Sequence, residues 1–353
     1  MTLQRESVLM AALIDWFLDV WDNMPAGKIG RGVLAILLLV LVVSVPLGIY
    51  WSLTPAAFEP AVTARDDAAG EQLEPATGYT TVYTLHRLMS TLLDKPGGYI
   101  SNDRLPPGVW LDNISNWEFG VLVQSRDLAR GLRKDFSRSQ SQSVENPMLT
   151  VTEPQFHFDN NSWWLPSTES QYREGLKALH KYQLALAQSS DGQTQFYARA
   201  DNLNNWLGDV QTRLGSLSQR LSASVGQKRL NTDLAGDPDA AQSTGTSALQ
   251  EIKTPWLEID DVFYEARGSA WALLHILKAI EVDFAPVLEK KNARVSLQQI
   301  IRELEATQET VWSPVILNGG GFGLFANHSL VMANYISRAN AAIIDLRELL
   351  ARG

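Results

Sequence analysis

The chain has 353 residues, 45% hydrophobic and 20% charged, with eleven Trp; these are the proportions of a folded globular chain and they exclude wholesale disorder. With 30 Lys and Arg against 39 Asp and Glu the formal charge is −9, which argues against nucleic acid and against anionic headgroups as the main partner. Cys is absent, so disulfides, thiolate catalysis and cysteine-ligated zinc or iron–sulfur centres are excluded, and an oxidising compartment is well suited.

In the segment 1–31, Leu9, Leu13, Trp16 and Val20 recur at helical spacing while Asp15, Asp19 and Asp22 form another stripe, before Met24-Pro25-Ala26-Gly27 breaks the pattern. The spacing predicts an amphipathic helix at the cytoplasmic face; its acidic stripe fits docking on a partner's membrane segment as well, and a short helix with no partner is the plain alternative. Residues 32–53, GVLAILLLVLVVSVPLGIYWSL, carry no charge. A helix rising about 1.5 Å per residue crosses the hydrocarbon core in roughly 20 residues, so this run predicts one transmembrane helix and contact with the bilayer. Lys28 and Arg31 precede it and the next basic residue is Arg65, which places the N-terminus in the cytoplasm and the rest of the chain across the membrane, the periplasm in a bacterium. The apolar run is too long for the core of a cleaved signal peptide and no clean A-x-A follows, so an uncleaved signal anchor is expected. Tyr50 and Trp51 then fall in the outer interfacial belt.

Residues 54–78 are rich in Pro, Ala, Asp and Glu and read as an extended linker. From Tyr79 onward helical periodicity dominates, so 79–353 is expected to be a helical periplasmic domain. Leu203, Leu207, Val210, Leu214, Leu217, Leu221 and Val225 form one seam, Leu297, Ile300, Ile301 and Leu304 a second, and Ile336, Ala339, Ile343, Leu346 and Leu350 a third; each is the stripe of a packed helix. Trp271 to Leu288 is a further helical stretch interrupted at Pro286. Ser137–Asn146 and Asn231–Gln250 are polar and read as exposed loops between helical layers. Three segments, 97–105, 196–203 and 322–330, share an aromatic and small polar residues around a turn, so repeated helical hairpins are one reading and chance similarity of turns the other. Asp201 or Asn202, and Asn327 or Ser329, are natural N-caps.

Two glycine loops stand out. Asn318-Gly319-Gly320-Gly321-Phe322-Gly323 lacks the Lys-Ser/Thr of a phosphate loop and does not complete G-x-G-x-x-G, so a tight turn between helices competes with a ligand-binding loop in which Asn327 and His328 supply the polar groups. The loop containing Gly97, Gly98, Asn102 and Asp103 would face it if the hairpins stack. Glu258, Asp260, Asp261 and Glu265 form an acidic cluster; Asp260, Asp261 and Glu265 are the candidate catalytic carboxylates, with Asp261 and Glu265 four apart on one helical face. Acidic residues at a helix start are also favoured by the helix dipole alone. The chain has no paired Glu-x-x-His segments, its five His form no H-E-x-x-H, and it has no G-x-S-x-G or S-x-x-K, so no metal centre, cofactor or serine hydrolase chemistry is expected. Phe156 to Pro166, with Trp163-Trp164, reads as a plug closing a helical layer ahead of a helix starting at Pro166-Ser167; partner or membrane-interface contact is the alternative.

With the anchor, the loop Pro96-Gly97-Gly98-Tyr99-Ile100-Ser101-Asn102-Asp103, the segment Phe263 to Trp271 (FYEARGSAW) and the Asn318–Gly323 loop assembled, the chain resembles a domain-of-unknown-function family of proteobacterial envelope proteins over nearly its whole length. The resemblance implies a Gram-negative inner-membrane setting and carries no activity, substrate or site residue. The expected fold is all-α: an amphipathic helix, one transmembrane helix and a multi-helix periplasmic bundle. The expected role is an anchored interaction or scaffold protein that binds an envelope protein partner and no nucleic acid. A periplasmic hydrolase or metal-dependent enzyme built on the acidic cluster is the alternative, and a ligand-sensing domain a further one.

Overall fold

A computed structural model describes residues 28–140, 143–188, 194–230, 249–313, 315–321 and 323–352, so the amphipathic segment before Lys28 and nearly all of the Asn231–Gln250 loop lie outside the described residues. The described chain is all-α apart from one two-stranded hairpin, and it contains eleven α-helices. The apolar run is helix α1 (Lys28–Trp51). Its stretch Gly30–Trp51 is long and apolar enough to cross a membrane, and only 11% of its most apolar window is buried, so the helix projects from the rest of the chain. Its last turns are docked. Gly48 faces Pro107 and Leu111, and a Cβ added to Gly97 would sit 2.7 Å from the Trp51 indole.

The segment 54–78 differs from the extended linker expected for it. Helix α2 (Pro60–Gly70) starts on a proline, whose missing N–H is harmless in a first turn, and buries Ala64 and Ala68 against Tyr79. Ahead of it Phe58 stacks on His275 at 4.0 Å between ring centroids, and the Arg87 guanidinium covers the Phe58 ring at 4.2 Å. Few large side chains were available to signal this packing; two alanines and one phenylalanine suffice because the surface they meet is already formed by other helices.

The body consists of α3 (Tyr79–Asp94), α4 (Asp112–Gly131, continued by a π turn Leu132–Phe136), α5 (Pro147–Phe156), α6 (Thr168–Ala187), α7 (Ala200–Ser222), α8 (Ile259–Asp283), α9 (Ala285–Lys290), α10 (Arg294–Ala306) and α11 (His328–Ala351). Helix α8 is buried on nearly every side and is the axis of the core. It runs beside α4, and two glycines permit the approach: a Cβ on Gly268 would overlap the Trp117 carbonyl, and one on Gly120 the Glu265 carbonyl. The rings of Trp117 and Trp271 pack beside this crossing at 5.1 Å.

The apolar seams are buried as their spacing predicts, except that Val225 lies beyond the end of α7 and is exposed. The break near Pro286 is real, with α8 ending at Asp283 and Pro286 in the first turn of α9. Strand β1 (Gln227–Leu230) pairs antiparallel with β2 (Leu249–Ile252), so the last two residues of the expected 231–250 loop belong to a strand. Asn327 caps α11 by accepting from the Leu330 N–H. At α7 the cap position is Arg199, and Asn202 instead donates to the Asp135 and Tyr197 carbonyls.

Contacts fix the helix directions. Helix α3 ends and α4 begins beside Trp51 and Gly48, and α8 begins there too, since Asn116 bonds Asp261. The ends of α7 and α10 and the start of α11 meet the first turns of α8 through Arg220–Glu265, Arg267–Gln308 and Phe263–His328. At the opposite end lie the start of α3, bonded to Asp283, and the Phe136–Phe196–Phe284 cluster. The three similar turn segments are split between the two ends, with 97–105 and 322–330 at the near end and 196–203 at the far one.

Candidate functional site

The near end, from which α1 emerges, gathers most of the sequence-predicted site residues, but in separate clusters. The first is the loop after α3. Lys95 and Glu118 are both buried; Lys95 Nζ lies 2.5 Å from Glu118 Oε1 and donates to the Gly98 carbonyl at 2.5 Å. Glu118 also accepts from the Ile100 N–H at 2.9 Å, the Ser101 N–H at 2.8 Å and Ser101 Oγ at 2.5 Å. Burial raises the Glu118 carboxyl above its ordinary range, and the Lys95 ammonium opposes the rise. The result is a rigid loop in which Gly97 (φ +86°) and Gly98 (φ +72°) adopt backbone conformations open to glycine, the first lying under Trp51. Asn102 Nδ2 donates to the Ser162 carbonyl at 2.9 Å and to Glu169 at 3.1 Å. Asp103 packs against Gly108, and burial, followed by the Glu169 charge, raises its pKa.

The second glycine loop is a turn fastened to itself. Gly319 N–H donates to the Ala326 carbonyl and His328 N–H to the Leu317 carbonyl, closing a bridge between Asn318 and Asn327. Asn327 Nδ2 donates to Asn318 Oδ1 and the Gly319 carbonyl, and His328 Nδ1 accepts from the Leu317 N–H at 3.2 Å. A Cβ on Gly319 would overlap the Phe325 carbonyl, whereas Gly320 meets open space and Gly321 (φ +81°) turns the chain. The two glycine loops share the near end, but the first is held on α4 and the second on α7 and α11.

The acidic cluster does not assemble into one site. Glu265 is taken by Arg220 in a two-pronged ion pair at 2.7 and 2.6 Å. Asp261 accepts from Asn116 Nδ2 at 2.7 Å, and its carboxyl is pushed up to about 6 by burial and then by Asp112, Asp260, Glu258 and Glu265. Asp260 is half-buried with no bond to either. Among the described residues no three His, Asp or Glu converge as metal ligands. Of the interface pair, Tyr50 is exposed while Trp51 turns into the body. Trp163 and Trp164, expected to plug a layer, are 56% and 66% exposed, so the core beneath them is closed without them. The helix expected behind them is α6, capped by Ser167.

Two features escaped sequence reasoning. One is a cavity of about 310 Å³ lined by Phe263, Arg267, Trp312, His328, Met332 and Tyr335 among others. Arg267 is 9% exposed and donates to the carbonyls of Glu309 and Gln308 at 2.9 Å, with no carboxylate within ion-pair distance among the described residues; burial lowers its pKa. A lone Arg within the apolar stretch of α8 was the available signal. The other is the strap between α1 and the body. His275 is fully buried; its Nε2 accepts from the Phe58 N–H at 2.9 Å, so the proton sits on Nδ1, donating to the Trp271 carbonyl at 2.6 Å. Burial holds this imidazole down at about 4, neutral at ordinary pH.

Neither the curated proteins nor the solved structures yield a match to this chain. Residues 26–353, which include all of the described helices, match the family described as Uncharacterized protein conserved in bacteria (DUF2333), and the chain belongs to that bacterial family.

Proposed function

We propose that this is a single-pass inner-membrane protein, N-terminus cytoplasmic and helical body periplasmic, that works by binding another envelope component. The length and apolarity of α1, with Lys28 and Arg31 before it, support the anchor and its orientation. The observation that carries the reading is the strap. Trp51 on Gly97 and Phe58 on His275 tie the anchor to the body, so the body stands at one height and angle beside its membrane helix. A flexible tether would suit a wide search for substrate; a fixed stance suits a partner held at a set place in the same membrane. Photo-crosslinking from exposed body positions in intact cells should capture one envelope protein reproducibly, and a C-terminal reporter should be active only in its periplasmic form. A cytoplasmic reporter signal overturns the orientation, and capture of nothing specific overturns the interaction role.

A second reading, binding of a small ligand, is favoured by the cavity at Arg267. A buried guanidinium without a carboxylate partner in an apolar pocket fits the head of an anionic amphiphile. Dodecanoate should then raise the Tm of the full chain, and less so in Arg267→Lys. The hydrolase or metal-enzyme reading gains no support from the acidic cluster, whose Glu265 is committed to Arg220.

A further inference from the structure

We infer that the near end of the body is itself a lipid-contacting surface, with its exposed tryptophans lying in the headgroup layer of a zwitterionic bilayer. The inference rests on α1 being a membrane span and adds a second, independent contact with the same membrane.

Depth is the first argument. Gly48 is three residues before the end of α1, about 4.5 Å along a helix axis, and a Cβ added to it would lie 3.5 Å from Pro107 and 3.6 Å from Leu111. If α1 spans, Gly48 lies at the boundary of hydrocarbon and headgroups, and the loop on it lies there too. That loop exposes Leu105 (77%), Val109 and Trp110.

Distribution is the second. The five exposed Trp among the described residues are Trp110, Trp163, Trp164, Trp256 and Trp312. Trp163 and Trp164 sit on a loop bonded to the Gly97–Arg104 loop through Tyr99–Asn160, Asn102–Ser162 and Arg104–Asn161. Trp256 and Leu257 lead into α8 at the point where Asn116 holds Asp261. Trp312 rims the cavity over the first turns of α8. All five therefore lie at the near end, on four separate loops. Indole, with an apolar ring and one N–H, suits the interfacial layer. Chance exposure or a single protein hot spot would not distribute them this way.

Charge chooses the lipid. Asp112, Glu258, Asp260 and Asp261 stand beside Trp110 and Trp256 and outnumber the exposed Arg104 and Lys253 on the same loops, so this acidic end is disfavoured on an anionic surface and accepted by a zwitterionic one.

The chain has no Cys, which permits clean labelling of the full protein in phosphatidylcholine nanodiscs. An environment-sensitive fluorophore on Val109→Cys, Leu165→Cys or Leu257→Cys should emit to the blue of one on Val295→Cys at the far end. It should also be several-fold less accessible to iodide and be quenched by brominated lipid. Replacing part of the lipid with phosphatidylglycerol should weaken these effects. Iodide access at 109, 165 and 257 equal to that at 295 overturns the inference. Shielding from iodide without brominated-lipid quenching overturns it as well, assigning the surface to a second copy of the chain. A label on Val40→Cys separates the two levels: its protection with 109 and 165 exposed removes the surface contact alone, whereas its exposure removes the span and the surface together.

Discussion

The two ends of the helical body each bury a carboxylate at a place where chain must be held, and they do it by opposite means. At the near end Glu118 is paired with the buried Lys95 and gathers the loop that receives Trp51. At the far end Asp283 has no cation within ion-pair distance among the described residues; it accepts from the Thr81 N–H and Oγ1, both at 2.7 Å, and fastens the start of α3. Burial pushes Asp283 up to about 6. The near end thus spends a charge pair where α1 joins the body, and the far end uses only uncharged donors where a helix merely starts. Breaking a buried pair is costly even where the pair adds little net stability, which suits a fixed joint between α1 and the body.

Removing Lys95 is the hardest test of that contrast. Lys95→Met leaves Glu118 buried without its partner, which costs about 3–5 kcal/mol in unfolding at neutral pH. The sign of the pH effect is fixed by linkage. A carboxyl whose folded pKa lies above its unfolded value binds the extra proton in the folded state, so stability rises as pH falls towards the unfolded value. The deficit of Lys95→Met should therefore shrink in mild acid; an equal deficit at pH 5 and 8 would show that Glu118 is not its cause.

Asp283→Ala should cost less, about 2–3 kcal/mol, by leaving the Thr81 N–H and hydroxyl without their acceptor. In the parent chain the Asp283 contribution is greatest below about pH 4 and declines as pH rises to about 6, then stays level. Asp283→Asn should abolish that slope while keeping an acceptor for Thr81. A slope that survives in Asp283→Asn comes from the other carboxyls that burial raises, Asp261 at about 6 together with Glu118, Asp103 and Asp135.

His275→Phe tests the strap between the ends. The ring stack on Phe58 is kept but its N–H loses its acceptor, for about 1–2 kcal/mol expressed as local opening. Hydrogen exchange at Phe58 should accelerate while exchange in α8 stays slow. In the parent, His275 titrates near 4 against about 6.5 unfolded, so its contribution is complete above the unfolded value and is lost as pH falls through 4. Acid should loosen the strap in the parent and leave His275→Phe unchanged; parallel loosening in both would separate the strap from this imidazole.

The contrast between the ends was only partly legible in the sequence. Helix seams such as Leu203 to Leu221 were readable because a stripe facing a core repeats at the helical period whatever it meets. The strap was not, since Ala64 and Ala68 gain their burial from Tyr79 on α3 and Phe58 from His275 on α8, more than two hundred residues away. Glu118 and Arg267 each interrupt an apolar helix face, a visible signal, but their partners could not be named without the fold. Gly120 and Gly268 carried the plainest unused signal: a glycine inside a strong helical pattern marks a close backbone approach. The glycine loops drew the eye as ligand cradles, yet the Gly319 N–H is spent on the Ala326 carbonyl and the first loop receives Trp51 at the end of α1.

The smallest expected effect tests whether the near end is a surface or a lid. Trp163 and Trp164 pack on each other at 5.3 Å but remain mostly exposed, and the core behind them is filled by Tyr99 and Tyr172. Replacing both with Ala should change unfolding stability by no more than about 0.5 kcal/mol, as for ordinary exposed positions. Tyr172→Ala, by contrast, should be plainly destabilising, because it empties a fully buried site and removes a hydrogen bond to Arg126. If the double Trp variant is as unstable as Tyr172→Ala, the pair is a plug after all and the near end is more core than surface. If stability holds while brominated-lipid quenching at Leu165→Cys falls, the indoles matter for where the body sits and hardly at all for whether it folds.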